Sequence, residues 1–206
     1  MQYAGTYDAG ASMPVPLHRM FAAVVLGTCL VHLTTLTRSP PAWQDEVQII
    51  DYGRVVLPGS DQSFGVNWHA QNRPIRLLNY IGPVVQEAAC RASANTSVGP
   101  RLSALLGAVV AAIAMRGWLL ATGVSPSIAF VAAWAFLWDP LFASSYRSVR
   151  VDSWCMAALL ASLWCVRRAS RSGTGDRMLV AAGAFVAVAA LTWPSAILLA
   201  PLLAYE

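Results

Sequence analysis

The chain has 206 residues, of which 57% are hydrophobic and 12% charged, whereas an average soluble domain has about 25% charged residues. Its 14 basic residues, all arginine, and its 10 acidic residues give a net charge of +4, and the mean hydropathy is +0.53. This composition excludes a disordered tail, a soluble nucleic-acid-binding protein and a small disulfide-rich secreted domain, and it favours a polytopic membrane protein.

The first predicted element is a membrane-spanning helix over residues 20–36, which follows a flexible N-terminal segment at residues 1–18. The apolar run begins after Arg19 and is about long enough to cross a bilayer. A cleaved signal peptide is the alternative, since a short apolar run after a basic residue also fits that pattern. No clean small-residue cleavage site follows the run, so the sequence favours an uncleaved first span.

A long polar loop at residues 37–99 follows the first span and holds five arginines and five acidic residues. Two stretches within it have apolar side chains at helical spacing. These side chains are Trp43, Val47 and Ile50 in the first stretch, and Ile75, Leu78, Ile81 and Val85 in the second. Such short amphipathic helices beside a membrane are expected to lie in its interface, with Trp68 and Tyr80 at headgroup depth.

Four further apolar runs follow the loop, at residues 102–120, 128–142, 151–166 and 178–203. The connections between them are short, which is typical of antiparallel neighbours in a helical bundle. Glycine and alanine dominate the first and last of these four runs and permit close approach of helix backbones. Residues 19–206 are therefore predicted to form one all-α transmembrane bundle of about five spans.

The predicted orientation of this bundle rests on the loop between its last two spans. That loop carries one acid, Asp176, and four basic residues, namely Arg167, Arg168, Arg171 and Arg177. Because short cytoplasmic loops of membrane proteins are rich in Lys and Arg, this loop is expected in the cytoplasm. The loops at residues 37–99 and 143–150 then lie outside. Three arginines on that outer side count against the orientation, namely Arg101, Arg147 and Arg150.

The acidic pair Asp45-Glu46 lies a few residues beyond the first span, at the start of an amphipathic stretch. Adjacent side chains on a helix point about 100° apart, so one carboxylate can face a cavity at membrane level while its neighbour caps the helix or contacts a partner. Partial burial raises the pKa of a carboxyl group toward the range of a general base. The alternative is that both acids simply favour the helix dipole.

A second candidate is the segment at residues 146–152, which contains Arg147, Arg150 and Asp152 at the outer end of the fourth span. Charges at the mouth of a membrane helix are costly unless they are paired or face a wet cavity. Arg150 and Asp152 form either a structural pair or, since a planar guanidinium suits phosphate oxygens, a site where arginine holds a lipid phosphate. Asp139-Pro140 breaks the third span before this segment, and a helix terminus with a capping acid is the favoured interpretation there.

A third candidate is the polar segment at residues 67–74, which contains His69 and ends in Arg73-Pro74. A catalytic base is the less favoured interpretation of His69, because a lone histidine is more often a surface or hydrogen-bonding residue. Arg73 opens the second amphipathic stretch, where it either meets an anionic lipid or extends toward the headgroups. Under the predicted orientation, all three candidates fall on the outer side of the membrane.

The order of these features resembles the N-terminal part of membrane glycosyltransferases of the GT-C superfamily, in particular the protein O-mannosyltransferase and aminoarabinose-transferase group. The resemblance covers residues 19–206. It rests on an apolar first helix and, in order after it, Asp45-Glu46, residues 68–74, residues 99–105 and the Arg-x-Asp sequence at residues 150–152. Trp193 precedes Pro194 where many relatives have a lysine, which leaves the role of that lysine unfilled.

This resemblance implies an inverting transfer of one hexosyl or pentosyl group from a polyprenyl-phosphate donor to a lipid, glycan or protein acceptor. The reaction would take place at the outer face of a membrane, with a bacterial inner membrane expected, and no nucleic acid would take part. By position, Asp45 and Glu46 match the family's catalytic acidic motif. Arg73 and Arg150 are expected to bind the donor phosphate, and the site would also be lined by His69, Arg147 and Asp152.

Some relatives use a divalent cation, Mg²⁺ or Mn²⁺, beside the acidic motif, where Asp45 and Glu46 would be its ligands. Members of the group are usually much longer, so the chain is expected to be incomplete at its C-terminal end or to be a reduced relative. The alternatives are an inactive truncated relative and a non-catalytic membrane protein. The latter would bind or move a lipid-linked substrate, or pack as a bundle subunit against a larger partner.

Overall fold

The computed structural model describes residues 15–38, 44–57, 80–171, 175–193, 196–197 and 201. Eight α-helices lie in these ranges, and no β-strand occurs in them. The helices are α1 (Val15–Thr35), α2 (Gln44–Val56), α3 (Ile81–Ser93), α4 (Val98–Thr122), α5 (Pro126–Leu137), α6 (Pro140–Arg147), α7 (Asp152–Ala169) and α8 (Gly175–Thr192). The prediction of an all-α fold is confirmed for this part of the chain.

Two helices, α4 and α8, are long and apolar enough to cross a membrane, and α5 with α6 makes a third if this bent pair is one span. The structure therefore supports two or three spans, fewer than the five that the apolar runs predict. The apolar part of α1, Arg19–Thr35, is shorter. Helix α7 carries Asp152 in its first turn and two arginines, Arg167 and Arg168, in its last, which shortens its uncharged stretch.

The break at Asp139-Pro140 is a helix start, as predicted. One carboxylate oxygen of Asp139 accepts hydrogen bonds from the backbone N–H groups of Leu141 (3.0 Å) and Phe142 (2.9 Å). Pro140 occupies the first position of α6, where its missing N–H costs nothing and its fixed φ suits a helix. This cap ends α5 and turns the chain by 55° into α6.

Three predicted boundaries differ from the structure. Helix α1 begins at Val15, inside the segment predicted to be flexible, of which residues 1–14 lie outside the described ranges. Helix α3 begins at Ile81, near the end of the second predicted amphipathic stretch, whose residues 75–79 also lie outside those ranges. Helix α8 ends at Thr192, just before Trp193-Pro194, because a residue that precedes proline disfavours the helical conformation.

Helices α4 and α7 form the centre of the bundle and pack on small side chains. Trp154 donates a hydrogen bond from Nε1 to Ser103 Oγ (3.1 Å), and Trp164 packs over Gly117. Because these contacts follow the same order along both helices, α4 and α7 run parallel. The fully buried alanines of α4 are Ala104, Ala108, Ala111 and Ala112. Small residues thus permit the close approach that the sequence predicts.

Helix α1 lies along the bent pair α5–α6 and runs in the same direction. Near its start, the rings of Phe21 and Phe130 meet edge to face, with their centroids 5.6 Å apart. At its end, Arg147 Nη2 donates a hydrogen bond to Thr35 Oγ1 (2.9 Å). In chain order, α1, α4, the pair α5–α6, α7 and α8 therefore alternate in direction.

This alternation gathers the helix ends at two opposite ends of the bundle. We call "upper end" the one where residues 35–36, 44–46, 98–101 and 145–152 come together. We call "lower end" the one that holds residues 19–21, 116–123, 167–171 and 175–177. There the Arg116 guanidinium lies 5.2 Å from the centre of the Phe21 ring.

Helix α2 crosses α3 at close range beside the upper end. Gly53 allows this approach, because a Cβ at that position would overlap the carbonyl oxygen of Pro83. Ile50, which the sequence places on the apolar side of α2, is buried in a small cluster with Cys90 of α3 and Val149. The apolar side of α2 therefore packs on protein.

We predict that Gly53→Ala destabilises the fold, because the added methyl group forces α2 and α3 apart. Overpacking of this kind costs about 1–3 kcal/mol of unfolding free energy, which thermal unfolding of the purified protein in detergent would measure. Gly183→Ala is the matched control, since no atom lies within 4 Å of a Cβ built at Gly183. Equal melting temperatures for the two variants would contradict the close crossing.

Candidate functional site

A buried ion pair joins the starts of α2 and α4. Arg101 Nη2 lies 3.2 Å from both carboxylate oxygens of Glu46, and only 2% of Arg101 and 3% of Glu46 are exposed. Arg101 Nη1 also donates a hydrogen bond to the backbone carbonyl oxygen of Leu36, just beyond α1 (2.6 Å). One guanidinium therefore ties together three segments of the upper end.

The pairing also sets the electrostatics of the acidic motif. Burial raises the pKa of Glu46, while the positive charge and hydrogen bonds of Arg101 act in the opposite direction. Both oxygens of the Glu46 carboxylate face the Arg101 guanidinium, and this contact positions the start of α2 against the start of α4. The assignment of a catalytic role to Glu46 stays a prediction.

The other predicted residues of the acidic site lie largely outside the described part of the chain. The backbone of Asp45 belongs to the first turn of α2, but its side chain is not among those described. His69 and Arg73 lie between residues 57 and 80, outside the described ranges. A pocket that Asp45 shares with Arg73 or Arg150 therefore stays a prediction.

The Arg-x-Asp sequence forms the structural pair that was one of its two interpretations. Arg150 Nε donates a hydrogen bond to Asp152 Oδ2 (2.7 Å), and Ser145 Oγ donates to the same oxygen (2.9 Å). The Arg150 side chain is nevertheless 39% exposed. Arg147, in the last turn of α6, is held by Thr35 of α1. The structure thus brings Arg147, Arg150 and Asp152 together at the upper end.

A second ionic cluster, which the sequence analysis missed, fixes α2 on α3. Glu87 is buried and receives Arg54 Nε of α2 on one oxygen (3.2 Å) and Arg91 Nε on the other (2.8 Å). The spacing of Glu87 and Arg91 by four residues could have predicted their contact, since such pairs are neighbours on a helix. Nothing in the sequence pattern indicated Arg54 as the other partner.

A buried hydrogen-bond chain links α1 to the end of α6. The Tyr146 hydroxyl donates to the carbonyl oxygen of Leu137 (2.9 Å) and lies 2.8 Å from His32 Nε2. Because the hydroxyl has one hydrogen and donates it to Leu137, its oxygen accepts a hydrogen bond from His32 in the tautomer that carries the hydrogen on Nε2. His32 lies in an apolar run, and no sequence pattern indicated that it takes part in a buried hydrogen bond. These hydrogen bonds hold α1 against α6 close to Arg147.

The described residues do not assemble a metal centre. No group of three or more His, Cys, Asp and Glu side chains in the described ranges is arranged to hold a metal ion. Of the two predicted ligands, Glu46 has both oxygens on a guanidinium, whose positive charge disfavours a cation there. The described geometry of Glu46 does not fit a divalent cation.

No family model matches the chain, and no curated protein or solved structure is significantly similar to it. The resemblance to GT-C glycosyltransferases therefore rests on the sequence motifs alone.

We predict that Arg101→Met strongly destabilises the fold, because it leaves the Glu46 carboxylate buried without its partner. Loss of one member of a buried pair costs about 3–5 kcal/mol of unfolding free energy. Arg150→Met is the matched control, because its pair is partly exposed and such pairs contribute about 1 kcal/mol or less. Chemical unfolding in detergent would measure both, and equal losses would contradict the role of Arg101.

The double variant Glu46→Leu/Arg101→Met separates pairing from packing. It removes both charges together and leaves no unpaired ion, so its unfolding free energy is expected to lie closer to that of the wild type than that of Arg101→Met does. A double variant less stable than Arg101→Met would contradict the ion pair as the cause.

Proposed function

We propose that the protein is a membrane glycosyltransferase that moves a sugar from a polyprenyl-phosphate donor to a lipid, glycan or protein acceptor at the extracytoplasmic face. The observation that carries this proposal is the Glu46–Arg101 pair, which fixes the acidic motif at the upper end. Arg147 and Arg150 lie at the same end. Acidic and basic groups thus occur together where a helical bundle would meet lipid headgroups.

The proposed orientation has the upper end outside, with α1, α4, the pair α5–α6, α7 and α8 each crossing the membrane. The lower end supports this orientation, because it concentrates arginines at helix ends and in the short connection between α7 and α8, as the cytoplasmic side of a membrane protein does. These arginines are Arg116, Arg167, Arg168, Arg171 and Arg177.

The bundle surface supports contact with lipid. Large apolar side chains are exposed on α1, α5 and α8, including Leu26, Ile128 and Val180. These exposed apolar side chains are expected to face the hydrocarbon core, in which the isoprenoid tail of the donor would lie beside the protein. A site at the upper end would then meet the donor phosphate at headgroup depth.

The proposed reaction is a direct displacement at the anomeric carbon. The acceptor oxygen forms a bond to that carbon, the bond from the carbon to the phosphate oxygen breaks, and polyprenyl phosphate leaves with the electron pair. A base must take the acceptor proton, and positive charge must stabilise the departing phosphate. Because Glu46 is held by Arg101, we assign the base to Asp45. Arg73 and Arg150 are assigned to the phosphate.

Transport of a lipid-linked substrate is the second candidate, and the two clearest spans disfavour it. Helix α4 has no charged residue between Arg101 and Arg116, and α8 has none between Arg177 and its end at Thr192. A polar path through the membrane would need ionisable groups at depth, where they mark substrate and ion pathways. Charge is instead concentrated at the two ends of the bundle.

We predict that Asp45→Asn lowers the rate of sugar transfer by about 10²–10⁴-fold, the usual contribution of a positioned general base. The assay uses purified protein and a polyprenyl-phosphate sugar, with the melting temperature as a check on folding. Asp176→Asn is the control, because Asp176 lies in the first turn of α8 at the lower end. Unchanged turnover in Asp45→Asn would remove Asp45 from the mechanism.

We predict a topology in which residue 61 is outside and residue 173 inside. In a variant without its four native cysteines, Asp61→Cys is expected to react with a membrane-impermeant thiol reagent in intact cells. Gly173→Cys is expected to react only after the cells are opened. The reverse labelling pattern would overturn the proposed orientation and the location of the site.

A further inference from the structure

The segment between α6 and α7 contains an unusual backbone conformation. Val149 has φ +32°, in the left-handed region that a β-branched residue rarely adopts. Its side chain is 0% exposed and packs with Ile50 of α2 and Cys90 of α3. The residue is therefore held in a strained conformation by the structure around it, and such outliers concentrate at functional sites.

Gln86 of α3 holds this turn in place. Its side-chain nitrogen Nε2 donates a hydrogen bond to the carbonyl oxygen of Val149 (2.8 Å), and Gln86 is 0% exposed. Its other polar atom, Oε1, is buried with no hydrogen-bond partner among the described residues. A buried amide with one of its polar atoms unpaired costs free energy that an apolar side chain would not.

Val151, two residues after Val149, anchors the same segment at a second point. Val151 is buried against α3 at Gly82, where a Cβ would lie 2.7 Å from Val151 Cγ1. Val149 and Val151 thus fix two points of a short turn on one helix, and Gln86 lies on that helix as well.

Two arginines of the predicted donor site flank this turn. Arg147 precedes it and is held by Thr35 of α1, while Arg150 follows it and is held by Asp152 of α7. Because only two residues separate them, the conformation of Val149 sets the directions in which the chain presents both guanidinium groups. A relaxed turn would present them differently.

We infer that Gln86 is a positioning residue for the lipid phosphate of the donor. By holding the carbonyl oxygen of Val149, it maintains the strained turn that presents Arg150 to a phosphate monoester, with Arg147 lining the same site. The inference rests on the proposed function for the identity of the ligand. It adds a residue that does not touch the donor and acts through the backbone.

The test measures binding of undecaprenyl phosphate to the full chain in detergent. Gln86→Leu keeps the volume of the side chain and removes the hydrogen bond, so the turn relaxes. We expect its affinity for the probe to fall by about ten- to hundredfold, the loss typical of a small misplacement of binding groups. Ala88→Leu is the control, because Ala88 is exposed on the same helix, and its affinity is expected to equal that of the wild type.

A rescue variant distinguishes positioning from simple packing. Glycine adopts positive φ without steric cost, so Gln86→Leu/Val149→Gly is expected to regain most of the lost affinity although it buries less apolar surface. In the transfer assay, Gln86→Leu is expected to raise the donor KM and to lower kcat, because the arginines bind the donor phosphate and also stabilise the negative charge that grows on it in the transition state.

The inference is overturned if Gln86→Leu folds and binds the probe as the wild type does, or if the double variant shows no rescue. It is also overturned if the wild type fails to bind undecaprenyl phosphate. If Gln86→Leu is recovered unfolded, Gln86→Met replaces it, and failure of both to fold shows a purely structural role. Wild-type binding without sugar transfer overturns the proposed reaction alone.

Discussion

The arrangement of the upper end depends on the requirement that the charge of a buried guanidinium be paired. Arg101 lies at the start of a long apolar helix and is almost completely buried, so its charge must be met by groups from elsewhere in the chain. Glu46 supplies the opposite charge, and the carbonyl oxygen of Leu36 supplies an acceptor. These two groups lie 55 and 65 residues from Arg101. The start of α2 must therefore lie beside the start of α4 and the residue that follows α1.

Polar contacts, more than apolar burial, continue this arrangement through α2 and α3. The apolar cluster between these helices and the bundle is small, with Ile50, Cys90 and Val149 as its buried members. Around it, Glu87 receives an arginine from each of the two helices, and Gln86 holds the turn before α7. Directional contacts of this kind fix orientation as well as proximity.

The features that the sequence predicted correctly are local. The apolar runs, the cap at Asp139-Pro140 and the use of small residues in α4 depend on neighbours within one or two helical turns. The Arg150–Asp152 pair was one of two interpretations for the same reason. Contacts between distant residues could not be predicted, since no periodicity connects Arg101 with Glu46 or Gln86 with Val149. Fewer helices than the five apolar runs are long and apolar enough to cross a membrane, because an apolar run indicates a helix but not how far charged ends, as in α7, shorten its uncharged stretch.

The acidic motif places a structural residue, Glu46, next to Asp45, the base of the proposed reaction, on one short helix. Adjacent side chains on a helix point about 100° apart, so the contact between Glu46 and Arg101 does not require Asp45 to take part in it. In the proposed reaction, loss of either carboxylate is expected to lower the rate of transfer, but for different physical reasons. Removal of Glu46 would unpair a buried arginine and disturb the fold, whereas removal of Asp45 would leave the Glu46–Arg101 contact in place. Activity alone therefore cannot assign roles within this motif, and the unfolding free energy of each variant must be measured beside its rate.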